Sequence, residues 1–371
     1  MKSTCITAGV FCLAILTQAA QAQTLPPPEK CFGVIELGSK GIKAIVVEDK
    51  GLDANKLLLP PFTIEEFKPK NKNPYDGDTA PQVAQEVLNI KSSMIGKYHM
   101  PENQIYVVMS SGIPAEVKAK LEGKQVKGIE LQSIDAPTES RYVFQGIVPP
   151  HRYGKNEVVV LDIGSGNSKG AYLDEPPATF ETYALQMGTG TFSKEVTKLK
   201  QNGEDFKAVA MKLAGEELLA PLQGQIRNKP GMQNCSRLYL AGGLPYVMTT
   251  LLHPERIGSK DPEDPAGKKT SDWVPLSAAD INRFYELATT NPAALLKPDR
   301  SKLKGDLKAA NEELDRVIGI FNQDELTAGA ILLKLFTDNM HAERKDGIFF
   351  SRRALYAWPQ GYVKEKIAAR Y

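Results

Sequence analysis

Two short stretches of this chain bring an acid out of an apolar run and into a turn of small residues. In VVVLDIGSGNSKGAYL, which begins at Val158, Asp162 precedes Gly164, Ser165, Gly166, Asn167, Ser168 and Lys169. In CFGVIELGSKGIKAIVVE, which begins at Cys31, Glu36 precedes Gly38, Ser39, Lys40 and Gly41. A strand that ends in such a turn presents several backbone N–H groups in a concave nest, which suits phosphate oxygens. An acid at the strand end can hold a cation or orient a water molecule. Lys40 and Lys169 add compact positive charges of the kind that bind phosphate, although lysines in hairpins ordinarily keep their heads in water. A third turn, Ala241-Gly242-Gly243, closes the apolar run Leu238-Tyr239-Leu240, and Ser110-Ser111-Gly112 closes a fourth run from Ile105 to Met109.

The first two stretches align as acid, apolar residue, Gly, Ser and turn, which points to an internal duplication at domain scale. Between the copies, a polar loop from Lys68 to Asp78 precedes a helical pattern with Val83, Val87, Leu88, Met94 and Ile95 as its apolar positions. Beyond Asp162, Glu204 to Leu219 is again helical in pattern, and Ser277 with Asp280 forms a capping box that opens a further helix. Pro254 to Lys269 reads as a polar loop insertion. Strands alternating with helices predict an α/β fold.

With 371 residues the chain is long enough for two domains. Its 46 Lys and Arg against 44 Asp and Glu leave a net charge of +2, so no general electrostatic footprint for duplex nucleic acid or an anionic membrane exists. Lys2, the apolar run from Ala8 to Leu16 and the small residues Ala20 and Ala22 form a secretory signal over residues 1–22. No later run reaches the roughly 18 apolar residues of a membrane span. The expected product is exported, periplasmic or secreted, with no stable membrane anchor after cleavage. Two cysteines remain, Cys31 and Cys235, and they are expected at the outer ends of different domains and unpaired. His99, His151, His253 and His341 are scattered singly, which argues against zinc.

The turns resemble the phosphate and adenosine loops of the actin, sugar-kinase and chaperone ATPase superfamily. The segment TESRYVFQGI, from Thr138 to Ile147, is similar to the Glu-Glu-Ala-Arg segment of the exopolyphosphatase and guanosine pentaphosphate phosphohydrolase (Ppx/GppA) family. The order ELGSKG, VVMSSG, TESR, LDIGSGNS, Met187-Gly188-Thr189-Gly190, YLAGG and AGAILLKLF follows that family's landmarks from Cys31 to Tyr362. The resemblance implies two actin-like (ribonuclease H-like) domains, 31–150 and 151–371, with an interdomain cleft and the last helix able to pack back on the first domain. It implies polyphosphate or a nucleotide polyphosphate as ligand. Glu139 matches the general base, although an acid at a helix start is also favoured by the helix dipole alone. Asp162, with Glu36, matches the acids that bind Mg²⁺. Gly38, Ser39, Ser110, Ser111, Gly164, Ser165, Gly166, Asn167, Ser168, Gly242 and Gly243 match positions around phosphate.

The chain departs from the family pattern at four positions. Glu36 replaces an aspartate, Lys40 an asparagine, Pro114 an arginine, and Lys169 a glutamate. Loss of that glutamate weakens the expected hold on Mg²⁺, and the lysines can supply positive charge in its place. The function expected on these grounds is a phosphoanhydride hydrolase of exopolyphosphatase type. The alternative is an inactive module that binds or senses phosphate or nucleotide.

Overall fold

The computed structural model describes residues 25–53, 62–70, 80–113, 130–174, 179–257 and 273–371, with positions 117 and 119. Residues 1–22, expected to be a signal, Pro114, and most of the loops expected at 68–78 and 254–269 lie outside the described residues.

The first unit contains β1 (Cys31–Gly38), β2 (Gly41–Glu48), β3 (Phe62–Lys70), α1 (Ala80–Tyr98), β4 (Ile105–Met109) and β5 (Leu131–Ser133). Helix α2 (Ala136–Ile147) leads to the second sheet, which begins with β6 (Val158–Ile163), β7 (Ser168–Leu173) and β8 (Phe180–Leu185). Then come α3 (Thr189–Leu199), α4 (Phe206–Leu213), α5 (Leu219–Asn228), β9 (Arg237–Ala241) and α6 (Gly243–Leu252). The chain closes with β10 (Trp273–Leu276), α7 (Ala278–Thr290), α8 (Leu307–Ile320), α9 (Gln323–Asn339), β11 (Gly347–Ser351) and α10 (Ala357–Ala368).

The first sheet has the order β3-β2-β1-β4-β5. Read from its β8 end, the second runs β8-β7-β6-β9-β11, with β10 added at the edge. The senses agree as well: β1/β2 and β6/β7 are antiparallel, whereas β1/β4 and β6/β9 are parallel. The two sheets therefore carry one topology twice, as the repeated acid-Gly-Ser pattern predicts.

Strand alternation decides where the acids point. In β6, Val159, Leu161 and Ile163 enter the outer core of the second unit, while Val158 and Val160 enter a separate core between the sheets. Asp162 continues the second set, because side chains two apart share a face. In β1, Ile35 and Leu37 face the outer core of the first unit and Phe32 and Val34 face inward, so Glu36 also lies on the inner face. That middle core is filled by Tyr142, Val143 and Phe144 from α2 and by Trp358, Tyr362 and Val363 from α10. The last helix thus packs against the first sheet as well as α2, and the tail continues onto the first unit through Arg370 to Gln104 (2.9 Å) and Tyr371 to Asp49 (3.0 Å).

Local expectations and structure differ in places. Helix α1 buries Val83, Val87, Ile90 and Met94, a stripe that leaves Ile95, 37% exposed, off the core face. The helix expected over 204–219 begins at Phe206, because Asp205 caps it through Ala208 N–H (2.9 Å), and it widens into a π turn at Ala214–Leu218. The capping box at Ser277 and Asp280 is present. Cys31 and Cys235 are buried, unpaired thiols in the outer cores of different units, and burial pushes them up to about 11 and about 12.

Candidate active site

The turns that end β1, β4, β6 and β9 meet around a cleft between the two units. A close approach of backbones closes its floor. A Cβ on Gly166 would lie 1.8 Å from the carbonyl oxygen of Gly112, so only glycine lets the loop between β6 and β7 rest on the Ser110-Ser111-Gly112 turn of the other unit. Asn167 Nδ2 crosses the same seam to Ser111 Oγ (2.8 Å). The loop is braced from behind by the first turn of α3, where the N–H groups of Thr189 and Gly190 donate to the carbonyls of Gly164 and Ser165 (both 2.9 Å). Gly242 sits at φ +89°, a conformation that favours glycine, and a Cβ there would lie 2.3 Å from Asp162 Oδ1.

Glu36, Gly38, Ser39, Lys40, Ser110, Glu139, Asp162, Gly164, Ser165, Gly166, Asn167, Lys169, Gly242 and Gly243 all line this cleft. Ser111 contributes through its backbone, and its N–H donates to Glu139 Oε2 (2.8 Å). Ser168 is turned away, its hydroxyl donating to the Met187 carbonyl (2.7 Å).

The register places an acid opposite a lysine in both repeats. Glu36 pairs across the hairpin with Lys43, and Asp162 with Lys169. The contacts are Lys43 Nζ to Glu36 Oε1 at 2.7 Å and Lys169 Nζ to Asp162 Oδ2 at 3.1 Å. Lys169 also reaches Glu139 Oε1 at 3.1 Å. Lys43 was not among the sequence candidates, yet its signal was there: each acid is followed by a lysine at the same spacing in both copies.

These contacts order the ionisation. Burial, the largest influence on Glu139, raises its carboxyl, but Lys169 and hydrogen bonding from Ser111 outweigh it and hold Glu139 below the ordinary carboxylate range. For Glu36, burial prevails over Lys43, and the neighbouring Glu139 adds to it, so this carboxyl is raised. Burial pulls Lys169 down, but Asp162 and Glu139 more than offset it and keep its ammonium charged. Three acids thus face two lysines, and the cluster has no surplus of positive charge for an anion.

The residues do not fit a divalent-metal site as they stand. Among the described residues no group of three His, Cys, Asp or Glu side chains is placed to hold a metal ion. Asp162 and Glu139 share the ammonium of Lys169, and Glu36 is paired with Lys43.

Lys40 takes a different course from Lys169. It leaves the β1–β2 turn and crosses the cleft to Glu325 Oε1 (2.7 Å) and the Ile320 carbonyl (3.2 Å), lying 4.0 Å from the Phe321 ring centroid. The cleft wall beyond it is formed by Tyr246, Arg316, Val317, Phe321 and Trp358, which sequence reasoning did not select. Arg316 is held by both oxygens of Glu313 (3.0 and 2.8 Å) and lies over Tyr246.

No protein-family profile matches the chain, and no curated protein does. Solved structures do. An exopolyphosphatase from Cytophaga hutchinsonii superposes with a TM-score of 0.58 at 14% identity over 91% of this chain and 98% of that one. A Ppx/GppA family member from Aquifex aeolicus gives 0.57 at 14% identity over 92% and 98%. An exopolyphosphatase-like protein gives 0.59 at 13% identity over 92% and 100%. At such identities what is shared is the fold: two α/β units of one topology around a cleft, matched over nearly the whole of each chain compared.

Proposed function

We propose that this chain is an exported phosphohydrolase of exopolyphosphatase type, releasing terminal phosphate from polyphosphate or a nucleotide polyphosphate. The observation that carries the reading is Glu139. It is 3% exposed, lines a cleft walled by the Gly/Ser turns of both units, and is held ionised by its surroundings. An ionised carboxylate at that place can accept a proton from water. The water oxygen forms a bond to the terminal phosphorus, the bridging P–O bond breaks, and the shortened chain leaves with the bridging oxygen. N–H groups of the turns around Gly38, Gly164 and Gly242 would stabilise the charge on the transferred group.

The reading includes a weakened requirement for Mg²⁺. The charge that a metal would bring to Asp162 and Glu139 is already supplied by Lys169. It also includes cleavage of the signal after Ala22 and a periplasmic or secreted site of action, where released nucleotides or polyphosphate are the accessible phosphoanhydrides. Duplex nucleic acid and a lasting membrane anchor play no part in it.

Lys169 also supports a second reading, ligand binding without turnover, because its hold on Glu139 competes with the water that Glu139 would activate. One assay separates the two. Purified protein is given short-chain polyphosphate, ATP or guanosine pentaphosphate, in EDTA and in Mg²⁺, with released phosphate and ligand binding both measured. Phosphate release supports the hydrolase, binding without release supports the silent module, and neither with any of the three rejects both.

A further inference from the structure

The ammonium of Lys169 has the surroundings of a bound cation. Its Nζ lies 3.1 Å from Asp162 Oδ2, 3.1 Å from Glu139 Oε1 and 3.1 Å from Asn167 Oδ1. The three oxygens come from β6, from α2 and from the loop between β6 and β7, and all three side chains are buried. An ammonium has three donors, and here each has an acceptor, so none is left for a ligand. A further oxygen, Glu36 Oε2, is buried in the same cleft without a partner, close enough for Lys169 and Glu139 to influence its carboxyl.

Carboxylate and amide oxygens converging from separate segments are the donors that hard divalent cations take. Two ionised carboxylates also cannot stay buried side by side without a cation between them. The ammonium meets that need and, by its own charge, keeps a metal out.

We propose that Lys169 is a tethered cation that keeps this oxygen cage filled, so that the cleft operates without a divalent metal, and that removing its side-chain charge turns the same oxygens into a divalent-cation site. The ligands of the uncovered site would be Asp162, Glu139 and Asn167. The repeat-related Lys43 pairs with Glu36 in the same way, but with a single carboxylate and 22% exposure it fills no comparable cage.

The test reads metal occupancy, not turnover, so it stands or falls separately from the hydrolase reading. Mn²⁺ is titrated into the full chain by electron paramagnetic resonance and calorimetry, using wild type, Asp162→Asn, Lys169→Ala, Lys169→Met and the double variant Lys169→Ala with Asp162→Asn. We expect one Mn²⁺ to bind Lys169→Ala about 10-fold or more tighter than wild type, with the gain lost in the double variant. Thermal melting should rise with Mn²⁺ in both single lysine variants and not in wild type. If either lysine variant folds poorly, recovery of a cooperative melt on adding Mn²⁺ is the same expected result. Wild type holding one Mn²⁺ that Asp162→Asn abolishes would overturn the proposal. So would lysine variants that neither bind Mn²⁺ better than wild type nor melt higher in its presence.

Discussion

Replacing Lys169 by methionine keeps the aliphatic stem and removes the charge between two buried carboxylates. Each contact at 3.1 Å represents about 5 kcal/mol of attraction at an effective dielectric constant of about 20, before the cost of burying the charges is subtracted. Breaking a buried ionic cluster from one side costs about 3–5 kcal/mol, because the acids remain where they were. The loss can be read by guanidinium denaturation in EDTA through intrinsic fluorescence, since the two tryptophans, Trp273 and Trp358, both touch the core between the sheets. The pH dependence gives the sharper check. In wild type, Glu139 is held below the ordinary carboxylate range, so its contribution to stability is present at neutral pH and fades as pH falls through its lowered value. Without the ammonium, the burial that dominates around Glu139 raises its carboxyl, and the folded variant takes up a proton there before the unfolded chain does. Acidification from neutral pH toward about 4.5 should therefore narrow the gap between variant and wild type. A gap below about 1 kcal/mol at neutral pH, or one that widens on acidification, would refute the reasoning.

Three further outcomes are expected. Gly166→Ala puts a methyl group where the Gly112 carbonyl stands, so it should cost at least about 1–3 kcal/mol and weaken phosphate-ligand binding together with stability; a melt unchanged from wild type would contradict the close approach. Lys40→Met and Glu325→Gln should show a coupling of about 1 kcal/mol in a double-mutant cycle, and each should shift small-angle scattering toward a more open particle, because this partly buried pair spans the cleft; additive effects with unchanged scattering would remove the cross-cleft role. Cys31 and Cys235 should resist a thiol reagent at pH 8 until the protein unfolds, since burial raises both thiols, and a mixed disulfide formed by the native protein would show otherwise.

Much of the cleft was legible because it is built from local patterns used twice. An apolar run, an acid and a Gly/Ser turn read as a strand delivering a carboxylate to a loop, and strand alternation then puts Glu36 and Asp162 on the inner faces. Cross-strand pairing was also within reach: the equal spacing of Glu36 to Lys43 and Asp162 to Lys169 marks Lys43, but attention to the turn favoured Lys40. The destination of Lys40 was not legible, because Glu325 lies far along the chain in a helix whose approach depends on how the two units dock. Arg316, Phe321 and Trp358 escaped for the same reason, since α8, the turn after it and α10 carry no motif and reach the cleft only through tertiary packing. In sequence, both lysines are charges free to meet an anion, whereas the fold commits that of Lys169 to Asp162, Glu139 and Asn167.

The most direct measurement of the central claim compares phosphate release from short-chain polyphosphate by wild type and Glu139→Gln, in EDTA and in Mg²⁺. The substitution keeps the side chain's volume and one carbonyl oxygen while removing the base. The account predicts that turnover falls about 10²-fold or more while the ligand is bound nearly as well. Turnover at the wild-type rate by Glu139→Gln, with the same preparation binding polyphosphate, would contradict it.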